Sequence, residues 1–225
     1  MEAARLPGYT VETSTVRVGA IDYQLRSLGN RQQYSDPEGA AERAGISSAS
    51  WPIFGVLWPS GLAMANEVDR IPIVGRRILE VGCGLGLSSL VLKRRGADIT
   101  ACDHHPLAGE FLRHNTDLNG LAPVPFHTAP WAGSTPDLGL FDLIIGSDLL
   151  YERDHPDLLA AFLQEHATPS AQVLLADPGR DRCGQFGSRM AFQGYALTTR
   201  KMSFDPKDPS SRRGRIMSFV RGRVD

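Results

Sequence analysis

Three closely spaced glycines mark the segment of the chain best suited to binding a ligand. Gly82, Gly84 and Gly86 follow a short apolar run in the order G-x-G-x-G. Glycine lets a backbone turn sharply and come close to a bound molecule. A dinucleotide fingerprint requires G-x-G-x-x-G to hold a pyrophosphate at a helix N-terminus, so this spacing disfavours phosphate binding. Glu80 precedes the glycines, where its carboxylate would repel a diphosphate but favour a ligand carrying an ammonium and a sulfonium.

An acidic residue further along has the position expected for a ribose contact. Asp103 lies 17 residues beyond Gly86, where a carboxylate at the end of a second strand accepts hydrogen bonds from ribose hydroxyls. Together with the glycines, it indicates an adenosine without a diphosphate. The alternative is a tight turn whose glycines only pack a helix on a sheet, with Asp103 as a solvated strand end. Short-chain dehydrogenases need a Tyr and a Lys close together on a helix, and no Lys occurs in Glu152 to His155 after Tyr151.

Composition and charge narrow the possible partners. A chain of 225 residues with 42% hydrophobic content can bury a substantial core. Its 24 basic and 25 acidic side chains nearly cancel, so no overall field attracts nucleic acid or an anionic membrane. The Arg-rich stretch 205–215 is interpreted as a solvated loop, since no aromatic residues are interleaved for stacking on bases.

Cysteine and histidine positions argue against disulfide and metal frameworks. Cys83, Cys102 and Cys183 are odd in number and widely spaced, so we expect a reducing, cytoplasmic environment. His104 and His105 are too close together for a convincing metal site, and three further histidines do not cluster with them, so we assign no metal. We expect a soluble protein without a visible export signal, because no apolar run of about 18 residues occurs.

Short β-rich runs alternate with helix-length segments from residue 76 onward, the pattern of a parallel sheet covered by helices. Seven strands are predicted, over 76–82, 97–103, 124–129, 141–148, 172–177, 195–204 and 214–222. The last two are predicted to form a closing antiparallel hairpin. The sequence therefore predicts an α/β fold with a Rossmann-like, doubly wound sheet, mostly parallel, and helices on both faces.

Helices are predicted between the strands from their start and stop residues. They begin near Ser60, after Gly86, at Pro106, after the N-cap residue Asp154, and near residue 181. Residues 11–28 have the pattern of a β-hairpin. We therefore divide the chain into an N-terminal hairpin extension with its linker, 1–57, and a main domain, 58–225.

Over roughly residues 51–178 the chain resembles the seven-β-strand protein methyltransferases, a family rich in lysine methyltransferases. The matching positions are Trp58-Pro59, the LEVGCGLG run, the acidic end of strand two, Asn115, Asn119, Trp131 and the segment Ser147-Asp148-Leu149-Leu150-Tyr151. The WPSG run and the segment Asp177-Pro178-Gly179-Arg180 are similar to the branch that methylates the electron-transfer flavoprotein β subunit. The resemblance implies that 58–225 is a class I methyltransferase domain.

The resemblance also implies a cofactor and site residues. The cofactor would be S-adenosylmethionine, with S-adenosylhomocysteine as its product. Cofactor-binding residues implied in this way are Trp58, Glu80, Gly82, Gly84, Gly86, Asp103, Trp131 and Ser147. Within this set the glycines would line the methionine part, Asp103 would hold the ribose and Trp131 would flank the adenine. Asp148 and Tyr151 would face the acceptor as catalytic residues, and Asp148 would hold a lysine ammonium or a ring amide near the methyl group.

Several site residues have ordinary structural interpretations as well. An Asp at a strand end is often a helix N-cap, and aromatics such as Tyr151 and Trp131 often seal the edge of a core. Trp51 and Phe54 fit a hydrophobic staple better than an acceptor-binding lip. Asp177 to Arg180 fits a simple Pro-Gly turn.

The sequence as a whole favours N-methylation of a protein side chain, most of all lysine. One alternative is methylation of a small amine or nitrogen heterocycle, and another is a non-catalytic, cofactor-binding scaffold. We expect a protein substrate, no nucleic-acid or membrane partner, and a monomer or weak homodimer.

Overall fold

Nine strands and six helices are present in the computed structural model, which describes residues 8–133, 135–204 and 214–222. The strands are β1 Val11–Val18, β2 Ile21–Leu28, β3 Arg77–Val81, β4 Asp98–Asp103, β5 Phe126–Thr128, β6 Phe141–Ser147, β7 Ala167–Asp177, β8 Ala196–Lys201 and β9 Arg215–Val220. The helices are α1 Ala40–Arg43, α2 Pro59–Val68, α3 Leu87–Arg94, α4 Ala108–Leu118, α5 His155–His166 and α6 Cys183–Phe192. Two short 3₁₀ helices lie at Trp51–Gly55 and Pro136–Leu138.

Seven of these strands form one sheet in the order β5-β4-β3-β6-β7-β9-β8. Pairs among β3 to β7 are parallel, whereas β9 pairs antiparallel with both β7 and β8. The predicted α/β fold with its closing antiparallel hairpin is therefore confirmed. The chain leaves β3 towards β4 and β5 and then returns to β6 on the other side of β3. Such a reversal opens a crevice at the carboxyl ends of the strands, where ligands bind in open α/β sheets.

Alternating residues of the central strands divide the core into two clusters, as a period of two requires. Ile78 and Ile145 contribute to the cluster that contains α2, α3, α4 and the N-terminal hairpin. Leu79 and Ile144 contribute to the cluster that contains α5 and α6. All four side chains are fully buried, and this burial on both faces explains why the sequence runs there are mostly apolar.

The hairpin formed by β1 and β2 is held on α4 by two asparagines one helical turn apart. Asn119 accepts a hydrogen bond from the backbone N–H of Gln24 and donates one to its carbonyl, at 3.0 and 2.7 Å. Asn115 bonds the N–H and the carbonyl of Arg26 in the same way, at 2.7 and 3.2 Å. It also donates to the carbonyl of Leu85 at 3.0 Å. The two amides thus imitate a neighbouring strand and tie the hairpin to the glycine-rich loop.

The observed elements differ from the predicted ones at several boundaries, among them the starts of α4 and β7 and the end of β8, and by the additional helix α1. The linker contains the short helix α1, which begins after Gly39 in a left-handed conformation (φ 66°). Strand β7 begins at Ala167, before the predicted residue 172, because Ala167 pairs with Phe141 ahead of an irregularity in the register.

The division at residue 57 stays a prediction, and most of the Arg-rich stretch 205–215 lies outside the described residues. In the part of the chain that is described, every helix is too short or too polar to cross a lipid bilayer.

Candidate cofactor and acceptor site

A cavity of about 710 Å³ opens at the carboxyl ends of the central strands. The loops after β3, β4, β6 and β7 all contribute to its walls. Ten residues predicted from the sequence line it together: Trp58, Glu80, Gly82, Gly84, Gly86, Asp103, Trp131, Ser147, Asp148 and Tyr151. The structure therefore collects all of the predicted site residues around one space, whose volume lies in the usual range for sites that hold a cofactor.

The glycine-rich loop turns through three left-handed residues before α3. Gly82, Gly84 and Gly86 have φ values of 60°, 51° and 75°. A Cβ at Gly84 would lie 2.7 Å from the carbonyl oxygen of Phe54, and a Cβ at Gly86 would lie 2.3 Å from Leu112 Cδ1. Both the backbone conformation and the packing behind the loop therefore require glycine. This close packing holds the loop as one wall of the cavity.

Asp103 ends β4 with its carboxylate built into the base of the same loop. Its Oδ2 accepts the N–H of Gly84 and its Oδ1 accepts the N–H of His105, both at 2.9 Å. Burial alone would raise the pKa of Asp103, but hydrogen bonds from His104, His105 and Gly84 lower it below the usual value. An ionised carboxylate with a second lone pair on each oxygen can still accept hydrogen bonds from a ligand.

Glu80 is buried in the wall of the cavity, where its carboxyl group accepts hydrogen bonds from the first turn of α3. Its Oε2 accepts the N–H of Ser89 at 2.9 Å and the Ser89 hydroxyl at 2.5 Å. The residue is 5% exposed. Burial raises the pKa of Glu80 to about 7, although hydrogen bonds from Ser89 and Ser88 oppose the rise. The carboxyl group that the sequence assigned to a cationic ligand therefore also stabilises the start of a helix.

The raised pKa of Glu80 predicts a specific dependence of stability on pH. The folded protein keeps this proton up to about pH 7, whereas an ordinary Glu releases it near 4.5. The Glu80 contribution to the free energy of unfolding is therefore present in full below pH 4.5 and is lost as pH rises towards 7. Glu80→Gln, which cannot titrate, should gain about 3 kcal/mol relative to wild type between pH 4.5 and 8. Urea unfolding of both proteins across this range measures the gain, and a constant difference would contradict it.

Asp148 and Arg180 form an ion pair in the wall of the same cavity, beyond the ends of β6 and β7. Asp148 follows β6 with a φ of 57°, and its N–H bonds the carbonyl of Ala176 in β7 at 2.8 Å. The guanidinium of Arg180 donates to Asp148 Oδ1 from Nε at 2.7 Å and from Nη2 at 2.5 Å. Its carbon Cζ also lies 5.9 Å from the centre of the Tyr151 ring. Asp148, the carboxylate predicted to face the methyl acceptor, therefore has a cationic partner that the sequence did not reveal.

Three aromatic side chains continue this side of the cavity. His155 meets Tyr151 and Trp131 edge-on, with ring centres 4.5 and 5.0 Å apart. Burial raises the pKa of Tyr151 to about 12, so the phenol is neutral. Burial also lowers the pKa of His155, although a hydrogen bond from the ring to the Leu149 carbonyl opposes the change. The contact of His155 with both aromatic rings was not predicted. The signal that could have indicated it is the position of this histidine in the first turn of α5.

Trp58 also lines the cavity. Its indole N–H donates a hydrogen bond to the carbonyl of Ile53 at 3.0 Å. Trp51 is 1% exposed, packs against Phe54 and does not line the cavity, whereas Phe54 does. Phe54 stacks on His105 with ring centres 3.7 Å apart, and burial lowers the pKa of His105 to about 4. This stack lies beside the Asp103 end of the cavity and was not predicted.

The fold and the crevice are those of a class I methyltransferase. A ribosomal protein L11 methylase from Lactobacillus delbrueckii subsp. bulgaricus superposes with a TM-score of 0.59 at 17% identity, covering 73% of this chain and 79% of that one. Magnesium protoporphyrin IX methyltransferase from Synechocystis PCC 6803 superposes with a TM-score of 0.58 at 17% identity, covering 73% and 80%. The chain belongs to the lysine methyltransferase family, whose model matches residues 49–185.

Curated relatives carry more specific names. The electron transfer flavoprotein beta subunit lysine methyltransferase of Mus musculus is 36% identical over 160 residues, which cover 69% of this chain and 61% of the relative. Protein N-lysine methyltransferase METTL21A of Xenopus tropicalis is 33% identical over 127 residues, which cover 53% and 58%. The chain spans between 51% and 61% of the length of the flavoprotein-methylating relatives.

Proposed function

We propose that this protein transfers a methyl group from S-adenosylmethionine to a lysine side chain of a protein. One observation carries the proposal. The glycine-rich loop with Asp103 and the Asp148–Tyr151 segment line a single cavity at the ends of the neighbouring strands β3, β4 and β6. A cofactor bound at the glycine-rich loop would thus lie close to an acceptor held by Asp148. Family membership supports the same activity.

The cofactor wall suits a nucleoside that carries positive charge. Gly82 to Gly86 would take the methionine part, the ionised Asp103 would accept hydrogen bonds from the ribose, and Trp131 would flank the adenine. The cavity-lining residues described include no lysine, and their one arginine, Arg180, is paired with Asp148. A diphosphate would therefore meet carboxylates without a free cation, whereas a sulfonium nucleoside fits this charge.

The acceptor wall suits an amine. When bound, S-adenosylmethionine supplies a methyl group on a positively charged sulfur: the amine lone pair forms the new N–C bond, and the electrons of the breaking C–S bond stay on the sulfur. The protein's task is alignment, since such a displacement needs the nitrogen about 3 Å from the methyl carbon. Asp148 would hold and orient the amine, and the neutral Tyr151 ring would stabilise its cationic character by a cation–π contact.

The names of the curated relatives make the electron transfer flavoprotein β subunit the first substrate to test. The protein is incubated with S-adenosylmethionine labelled in its methyl group and with purified β subunit, whole lysate or a panel of small amines. We expect label in the β subunit or another protein, located on lysine by mass spectrometry. Label confined to small products would contradict a protein acceptor, and no transfer to any acceptor would contradict the activity.

The setting of the reaction is also proposed from the sequence and the cysteines. Cys83, Cys102 and Cys183 are all free and buried, which supports the expected cytoplasmic location. A monomer or weak homodimer stays a prediction.

A further inference from the structure

The position of Arg180 is fixed by its own turn. Asp177, the last residue of β7, is 2% exposed. Its Oδ1 accepts the N–H groups of Gly179 and Arg180, each at 2.7 Å, and Gly179 takes a φ of 98°. The chain therefore reverses at the strand end, and the Arg180 side chain reaches back across to the end of β6. A simple Pro-Gly turn would not need this buried carboxylate.

The ion pair involves only one of the two oxygens of the Asp148 carboxylate. Both Arg180 hydrogen bonds converge on Oδ1, and Oδ2 accepts no hydrogen bond from the described residues. The Asp148 side chain is 11% exposed and that of Arg180 is 36% exposed. Oδ2 is therefore available to an amine in the cavity, while Oδ1 stays bound to a guanidinium that cannot lose its charge.

The charge at this wall decides the protonation of an acceptor amine. A lone carboxylate in contact with a lysine would favour the ammonium form, which has no lone pair for methyl transfer. A guanidinium bound to the same carboxylate opposes this effect, because its positive charge lies next to the negative one. Other titratable side chains that line the cavity are Tyr151, His155, Glu152, Asp154, His104, His105, Asp103, Glu80 and Cys83. Of these, the phenol of Tyr151 is neutral, and burial lowers the pKa of His155, which favours its neutral ring.

We propose that Arg180 neutralises the field of Asp148, so that the carboxylate orients the acceptor lysine without holding its proton. The proposal rests on the function proposed above. It makes Arg180 a positioning residue that sets the pH range of the reaction. The proton leaves the ammonium for solvent through the cavity mouth before the N–C bond forms, and the methylated product carries the positive charge given up by the sulfur.

The pH profile of kcat tests this role, because kcat reports the ionisation of the enzyme–substrate complex. Methyl transfer to the β subunit is measured with saturating labelled cofactor from about pH 6 to 10. On the acid side of the profile kcat falls, and this acid limb should lie about 1 pH unit higher in Arg180→Gln than in wild type. The kcat of the variant at high pH should reach a plateau within about threefold of the wild-type value. Asp148→Asn, which leaves Arg180 unopposed, should move the limb downward. Arg180→Lys should keep the wild-type limb.

Arg189→Gln is the matched control, because it removes an arginine from an exposed ion pair with Asp157 outside the cavity. It should leave the limb unchanged. If Arg180→Gln proves unstable, Asp148→Asn is compared with the double variant Asp148→Asn/Arg180→Gln, whose limb should return to that of wild type. A limb of the double variant that coincides with that of Asp148→Asn would overturn the role of Arg180. Limbs of the two single variants that coincide with wild type would also overturn this role while leaving lysine methylation intact. A wild-type enzyme that labels no lysine would overturn the proposed function, and this proposal with it.

Discussion

Asp103→Ala is expected to raise the Kd of S-adenosylhomocysteine by about 100-fold. The variant removes the acceptor of the Gly84 and His105 N–H groups as well as the carboxylate proposed to bind the ribose. Hydrogen bonds to a charged group contribute about 1.5–3 kcal/mol each, and about 2.7 kcal/mol corresponds to a factor of 100. Isothermal titration calorimetry measures the change directly, and circular dichroism shows whether the variant remains folded.

Asp98→Ala is the control for this variant. Asp98 begins the same strand at its other end, where it lies 3.8 Å from Arg77 and is exposed. Its loss should change the Kd by less than about threefold, as expected for an exposed ion pair. Cofactor affinity that is equal in the two variants would contradict the assignment of Asp103.

Asp148→Asn is expected to lower kcat for lysine methylation by about 100-fold, in the range found when a positioned group is removed from a reaction centre. Asn is chosen because it tolerates the left-handed conformation that Asp148 adopts. Its amide cannot supply the negative charge that orients the amine, and it leaves the Arg180 cation facing the substrate. Single-turnover transfer of labelled methyl groups measures the loss.

Affinity for S-adenosylhomocysteine separates this effect from damage to the cofactor site. It should stay within about threefold of wild type in Asp148→Asn. Asp181→Asn makes the same chemical change at an exposed residue beside Arg180 and should retain wild-type kcat. Full activity of Asp148→Asn at its optimal pH would show that this carboxylate does not handle the acceptor.

The sheet was predictable because its central strands are buried on both faces and because segments of helical period separate the strands. The stretch 76–82 contains the β-rich segment Ile78 to Val81 and ends in a glycine, and β3 indeed ends at Val81 before the glycine-rich loop. The carboxyl-edge rule then brings Asp103, Ser147 and Asp148 to this loop without any knowledge of side-chain contacts. Topology predicted the place of the glycine-rich loop and of Asp103, whereas the roles of Trp58, Trp131, Ser147, Asp148 and Tyr151 came from the resemblance to the methyltransferase family.

The partners of the site residues were not predictable in the same way. Arg180 lies 32 residues beyond Asp148, and their contact exists because β6 and β7 are neighbours and because Asp177 bends the chain back. Glu80 was read as a ligand for a cation, but its contact with Ser89 depends on how closely α3 starts behind β3. Sequence spacing specifies which strand ends meet, whereas the direction of each side chain depends on turns that only the folded backbone defines.

Calorimetry on the unmodified protein tests the central claim most directly, namely that the cavity holds a sulfonium nucleoside. Titration with S-adenosylmethionine and with S-adenosylhomocysteine should each show one saturable site, and NAD and ATP should give no comparable heat. If neither S-adenosyl compound binds while NAD or ATP binds tightly, the account of the site is wrong.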